Sequence, residues 1–121
     1  MKFSLVIFLL PAVTLAQVKI TRDEAACRDQ EGASEEDVEM LQSLMTPETR
    51  ITKCYYSCML QKIHYSDGQR FDKEGFLRSA DDASSEYRET MQRIADHCEG
   101  TENEDHCELA ADIVACIMRR S

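Results

Sequence analysis

Six cysteines, Cys27, Cys54, Cys58, Cys98, Cys107 and Cys116, restrict this 121-residue chain more than any other feature, and the first residues decide how they are read. Met1-Lys2 precedes the apolar run Phe3-Ser4-Leu5-Val6-Ile7-Phe8-Leu9-Leu10, then Pro11 and the small-residue end Thr14-Leu15-Ala16. One basic residue, a short greasy stretch and small side chains before a cut describe a secretory signal peptide. A membrane anchor needs roughly 20 apolar residues, and this run gives way at Gln17-Val18-Lys19. Residues 1–16 are therefore expected to be cleaved, leaving 17–121 as one secreted domain, and loss of Lys2 takes the net charge from −9 to −10. In an oxidising compartment an even set of cysteines reads as three disulfides, not as thiolate or zinc chemistry.

A length of this order supports one core. With 43% apolar and 31% charged residues the chain suits a packed globule and not a disordered tail. Its acidity argues against nucleic acid and anionic membranes, which are polyanions. Helix signals dominate and predict an all-α fold. Thr21-Arg22-Asp23-Glu24 has the form of a capping box, and a helix from there carries Cys27. Ser34-Glu35-Glu36-Asp37 starts a second helix with the stripe Val38, Leu41, Leu44 and Met45. Thr46-Pro47-Glu48 predicts a third running to about Ile63, with Ile51, Tyr55, Cys58, Met59 and Ile63 along one face. Asp72 caps a short fourth helix holding Phe76 and Leu77, weakened by Gly75. A fifth begins at Asp82 or Ser84 and ends at Cys98, with Tyr87, Met91, Ile94 and Ala95 on one face. Asn103 caps a last helix with Cys107, Ala110, Ala111, Val114, Ile117 and Met118 apolar. No alternating run is long enough to make a strand.

Geometry limits the cysteine pairing without fixing it. Cys54 and Cys58, four apart on one helix, point the same way, and a bond between them would close only a single turn. Cys107 and Cys116 are nine apart, so they face opposite sides of their helix. Of the 15 pairings open to six cysteines, 10 contain neither bond. The third helix must then make two separate tethers, and the last is clamped from both sides. Closing loops of about 30–50 residues contributes on the order of 3–4 kcal/mol each. A shell stapled in this way tolerates a cavity whose cost, about 24 cal/mol per Å³, would unfold an unstapled domain.

The intervals Cys27-x26-Cys54-x3-Cys58-x39-Cys98-x8-Cys107-x8-Cys116, together with the signal peptide and the acidic helical chain, resemble the insect odorant-binding proteins, the pheromone/general odorant-binding family. The resemblance covers the whole mature chain. It implies the interlocked pairing Cys27–Cys58, Cys54–Cys107 and Cys98–Cys116, one of the 10 left open. It further implies about six short helices around an internal apolar cavity that carries odorants or pheromones through aqueous fluid. The partners it implies are a small hydrophobic ligand and an olfactory receptor at the membrane, with the carrier a monomer or weak homodimer. No cofactor, metal, catalysis, nucleic acid or stable membrane insertion is expected. Only Ile117-Met118-Arg119-Arg120-Ser121 follow the last cysteine, too few for the C-terminal segment that covers the pocket in longer members, so release driven by a tail is not expected.

The candidate ligand wall is the set of inward apolar positions Leu44, Met59, Ile63, Phe71, Phe76, Leu77, Met91, Ile94, Val114 and Met118; Tyr55, Tyr56, Tyr65 and Tyr87 can offer a hydroxyl, Tyr55 from the inward stripe of Met59 and Tyr56 from off it. Each is also an ordinary core residue by its helical spacing. Six methionines suit a wall that repacks around different guests. The repeated Asp96-His97-Cys98 and Asp105-His106-Cys107 invite a zinc or phospholipase reading. Oxidised cysteines cannot ligate zinc, however, and no glycine-rich calcium loop precedes either dyad. Two further classes share the scaffold logic. A secreted scavenger of lipophilic mediators or hormones is separated by tissue of expression. A saposin-type membrane perturber needs cysteine pairs near both chain ends, whereas Cys54 and Cys58 lie mid-chain.

Overall fold

The structure is a computed structural model in which residues 22–120 are described. The signal segment 1–16 and the expected cap Thr21 lie outside them. Six helices follow in order: α1 (22–31), α2 (Glu35–Gln42), α3 (Arg50–Lys62), α4 (Lys73–Arg78), α5 (Ser85–Cys98) and α6 (His106–Arg120). Among the described residues there is no strand, only the isolated bridges Ser66–Phe71 and Arg70–Glu102.

Side-chain caps set most helix starts. The Ser34 hydroxyl accepts from the Asp37 N–H while Asp37 accepts from the Ser34 N–H, a reciprocal box at α2. Asp72 accepts from the Gly75 N–H at α4, and Ser84 from the Tyr87 N–H at α5. Two starts differ from the sequence reading. Helix α3 is capped by Thr49 instead of Thr46, because the Thr49 hydroxyl takes the Thr52 N–H while Pro47 is buried in the approach to the helix. Helix α6 is capped by Asp105 instead of Asn103: Asp105 accepts from the N–H groups of Cys107 and Glu108, and Asn103 supports the Asp105 N–H from outside. Arg50 donates to Asp105 and holds its carboxyl down at about 2. Gly75 is required, not merely tolerated. A Cβ there would sit 2.0 Å from the His64 carbonyl oxygen, so only glycine lets α4 approach the end of α3.

Helices α2 and α3 end alike. The Met45 N–H reaches the Met40 carbonyl and the Tyr65 N–H reaches the Leu60 carbonyl, both Schellman turns. The residue in the left-handed region is Leu44 (φ 53°) in one and His64 (φ 66°) in the other. Non-glycine residues there cost about 1–2 kcal/mol each, and both turns stand beside the cavity described below.

The disulfides are Cys27–Cys58, Cys54–Cys107 and Cys98–Cys116, with no free cysteine, which is the interlocked arrangement of the six-cysteine type. They join α1 to α3, α3 to α6 and α5 to α6. Helix α3 thus carries two tethers and α6 is held from both sides. Among helices α2–α6 the most extensive pairing is α3 on α6, and both helices give wholly buried side chains to the core, Tyr55 and Tyr56 from α3 and Leu109 and Ile113 from α6. Ion pairs reinforce it at the rim, Lys53 with Glu108 at 3.1 Å and Arg50 with Asp105 and Glu108. Lys73 similarly links α4 to Asp96 and Glu99 at the end of α5. Asp37 ties α2 to α3 by accepting from the buried Thr52 hydroxyl at 2.6 Å. Burial pushes its carboxyl up, but the hydrogen bonds from Thr52 and Ser34 outweigh that and hold it below the ordinary carboxylate value.

Candidate functional site

Helices α2 to α6 do not close on one another. They surround a cavity of about 370 Å³, within the 300–1,000 Å³ or so typical of small-molecule sites. Leu41 and Leu44 enter from α2 and its terminal turn, Met59, Leu60 and Ile63 from α3, and Tyr65 and Phe76 from the α4 region. Tyr87, Thr90, Met91 and Ile94 come from α5, and Val114 and Ile117 from α6. Met59, Leu60, Phe76, Met91, Ile94 and Val114 are buried and form its floor. Leu44, Ile63 and Tyr87 are 44%, 38% and 51% exposed, so they form an apolar mouth open to solvent.

Sequence reasoning therefore names seven residues that the fold brings onto one wall: Leu44, Met59, Ile63, Phe76, Met91, Ile94 and Val114. Four others fall elsewhere. Tyr55 is wholly buried off the cavity, edge-on to Tyr56 at 6.4 Å between ring centroids, because α3 is covered on several sides and its apolar surface is wider than one stripe. Phe71 stands behind Phe76 at 5.3 Å and backs the wall without reaching it. Leu77 follows Phe76 by about 100° on a short helix, so only one of the two faces the cavity, and Leu77 lines a polar surface cleft with Lys73 and Glu99 instead. Met118 is 43% exposed, because the cavity face of α6 runs through Val114 and Ile117. Ile51, read on the stripe of Met59, is also largely exposed.

The other wall residues are Leu41, Leu60, Thr90 and Ile117, which sequence reasoning does not name, and Tyr65 and Tyr87, which it names only as hydroxyl donors. Leu41, Tyr87 and Ile117 do belong to the apolar stripes of their helices. Thr90 carried no apolar signal, and Tyr65 reaches the wall only through the turn that ends α3.

Polar groups within reach of the cavity are few. The Tyr65 ring lies edge-on to Phe76 at 4.8 Å, and its hydroxyl pairs with Ser79 at 3.2 Å. The Thr90 hydroxyl bonds the Glu86 carbonyl and accepts from Arg93. Away from the cavity, burial pushes the Tyr55 and Tyr56 phenols up to about 12. Tyr56 donates to the Met45 carbonyl at 2.6 Å, whereas the Tyr55 hydroxyl has no partner among the described residues.

The two Asp-His-Cys segments do not converge on a reactive centre. Cys98 and Cys107 are both oxidised, and His106 Nδ1 lies 2.8 Å from the Ser57 hydroxyl. Ser57 also accepts from Gln61 and is buried away from the cavity, so the pair braces α3 against α6. Among the described residues no group of three or more His, Cys, Asp or Glu is arranged to hold a metal ion, and no helix is long and apolar enough to cross a membrane.

The sequence profile of the PBP/GOBP family matches residues 14–120. General odorant-binding protein 19d of Drosophila melanogaster is 33% identical over 114 residues, covering 84% of this chain and 75% of its own. The fold is similar to that of odorant-binding protein dmelOBP28a of Drosophila melanogaster, with TM-score 0.74 at 20% identity over 87% of this chain and 91% of that one. It is also similar to that of the fatty acid binding protein OBP56a from the oral disk of the blowfly Phormia regina, with TM-score 0.67 at 22% identity over 87% and 90% of the two chains.

Proposed function

The chain belongs to the PBP/GOBP family of odorant-binding proteins, and from that premise we propose that it is a secreted, non-enzymatic carrier that holds a small hydrophobic molecule, an odorant or pheromone, in the α2–α6 cavity. In this reading residues 1–16 are removed on export, and residues 17–121 carry the cargo through aqueous extracellular fluid to an olfactory receptor as a monomer or weak homodimer. The observation that carries the reading is the cavity itself. Its volume is about 370 Å³, its lining is almost wholly aliphatic and aromatic, and its mouth is open to solvent.

Withdrawing apolar ligand surface from water supplies roughly 25 cal/mol per Å². With few polar groups on the wall, affinity follows size and greasiness more than functional group, which gives broad selectivity. The net charge, −9 for the full chain and −10 once Lys2 is lost, keeps a concentrated carrier apart from its copies by self-repulsion. The wall residues Leu44, Met59, Ile63, Phe76, Met91, Ile94 and Val114 are assigned to ligand contact, joined by Leu41, Leu60, Tyr65, Tyr87, Thr90 and Ile117.

Displacement of a fluorescent apolar probe by volatile alcohols, esters and aldehydes tests the reading. Saturable displacement with micromolar-range midpoints that tighten with chain length is expected. A folded, fully oxidised protein that binds neither the probe nor any member of the panel overturns it. Native mass spectrometry of protein purified from its source reports any retained lipophile and the oligomer.

A further inference from the structure

The cavity wall is apolar except at one place on α5. Thr90 lines the cavity, and Tyr87 and Arg93 lie three residues before and after it, so the three side chains fall along one face of the helix. Arg93 is exposed and not itself part of the lining, but it donates from Nη2 to the Thr90 hydroxyl at 3.2 Å, which holds the guanidinium beside a residue that does line the cavity. The hydroxyl's own proton is turned to the Glu86 carbonyl at 3.3 Å, long for an O–H donor and readily exchanged for a better acceptor. Among the described residues no carboxylate lies within ion-pair distance of Arg93. Asp96, the acid that follows it on α5, is engaged by Lys73 at 2.9 Å and by Gln92 at 2.9 Å. A guanidinium with most of its donors free thus stands where an apolar hollow meets water, in a protein that is otherwise strongly acidic.

We propose that Thr90 and Arg93 form a head-group subsite that selects an anionic lipophile: a carboxylate seated on the Arg93 fork and the Thr90 hydroxyl, with its hydrocarbon tail in the cavity. The inference rests on the carrier reading and deepens it. An aliphatic wall cannot tell an alcohol from an acid of equal chain length, whereas a planar guanidinium matches a carboxylate with two parallel hydrogen bonds. The overall negative charge opposes anions at long range, but that repulsion is screened beyond about 10 Å at moderate salt. The pairing at the lip acts at contact distance. It therefore shows in affinity ratios more than in association rate.

The test compares decanoate with decanol as displacers of N-phenyl-1-naphthylamine near neutral pH at low salt, in the wild-type protein and in Arg93→Gln and Thr90→Val. The readout is the ratio of decanoate to decanol affinity, which cancels any change in the tail's fit. Arg93→Gln is expected to lower that ratio roughly 3- to 10-fold, the range for a charge-assisted pair at a half-exposed site, with decanol affinity unchanged. Thr90→Val, of nearly the same shape, lowers it by a smaller factor, and raising salt shrinks the wild-type preference. An unchanged ratio in Arg93→Gln, or equal losses for both ligands, overturns the subsite while the carrier reading stands. If neither ligand nor the probe binds the wild-type protein, the carrier reading falls and the subsite with it.

Discussion

The two sides of α3 are built to different rules. One part is solid: Tyr55 and Tyr56, with Leu109 and Ile113 of α6, are fully buried, and disulfides tie α3 to α6 and α1 through Cys54 and Cys58. Toward α2, α4 and α5 it faces a hollow of about 370 Å³ whose mouth residues Leu44, Ile63 and Tyr87 remain largely exposed. An empty volume of that size is a burden that close packing normally removes. Here the covalent tethers and the dense face carry the fold, and the opposite face is released from packing duty. Stability and ligand capacity are therefore separable, which mutations can show.

The largest effect is expected from cutting the solid side's staple. Cys54→Ser with Cys107→Ser opens a loop of sequence separation 53 and should lower unfolding free energy by about 4 kcal/mol. Cys98→Ser with Cys116→Ser, of separation 18, costs about 3 kcal/mol. Denaturant midpoints that rank the other way would place the mechanical weight on α5. Next comes a matched pair of isoleucines. Ile113→Ala, in the dense face, should destabilise by about 3 kcal/mol and leave ligand affinity within twofold. Ile63→Ala, at the mouth, should cost less than about 1 kcal/mol yet weaken an apolar ligand several-fold. Equal stability losses at the two sites would erase the contrast.

The smallest effects separate the adjacent tyrosines within the solid side. Tyr56→Phe forfeits the bond to the Met45 carbonyl and should cost about 1 kcal/mol, whereas Tyr55→Phe removes a buried hydroxyl without a partner and should be neutral or stabilising. Both phenols are raised from 10.0 to about 12 in the folded protein. Folding keeps them neutral, so the stability they confer is complete below pH 10 and fades as pH climbs toward 12. Alkaline absorbance titration should show this late step shrinking in either variant, with alkaline unfolding shifted upward in Tyr55→Phe.

Helix number and order, the caps at Ser34, Asp72 and Ser84, and seven of the wall residues were legible because each depends on spacing within one helix. What escaped depends on relations between helices. Periodicity gives the width of an apolar stripe but not which partner covers which half. Tyr55 and Met59 share a stripe and still part company, one buried off the cavity and the other on its wall. Between the neighbours Phe76 and Leu77, or Ile117 and Met118, the choice turns on a rotation that the Gly75–His64 approach and the Cys116 bond impose. Thr90 could not be found by a search for apolar residues, since its place on the wall comes from the direction α5 takes across the mouth. The disulfide pairing, too, was one choice among several until the family's spacing was used.

The overlapping spans of the three disulfides have a further consequence. The bonds run from 27 to 58, from 54 to 107 and from 98 to 116, so every peptide bond between Cys27 and Cys116 lies inside at least one covalent ring. A protease that nicks the acidic loop before α6, or the turn between α3 and α4, severs the backbone without liberating a fragment. Both halves stay bolted across the α3–α6 seam, and the piece keeps its mass until a reductant arrives. In fluids rich in peptidases, a single scission is survivable damage for such a molecule.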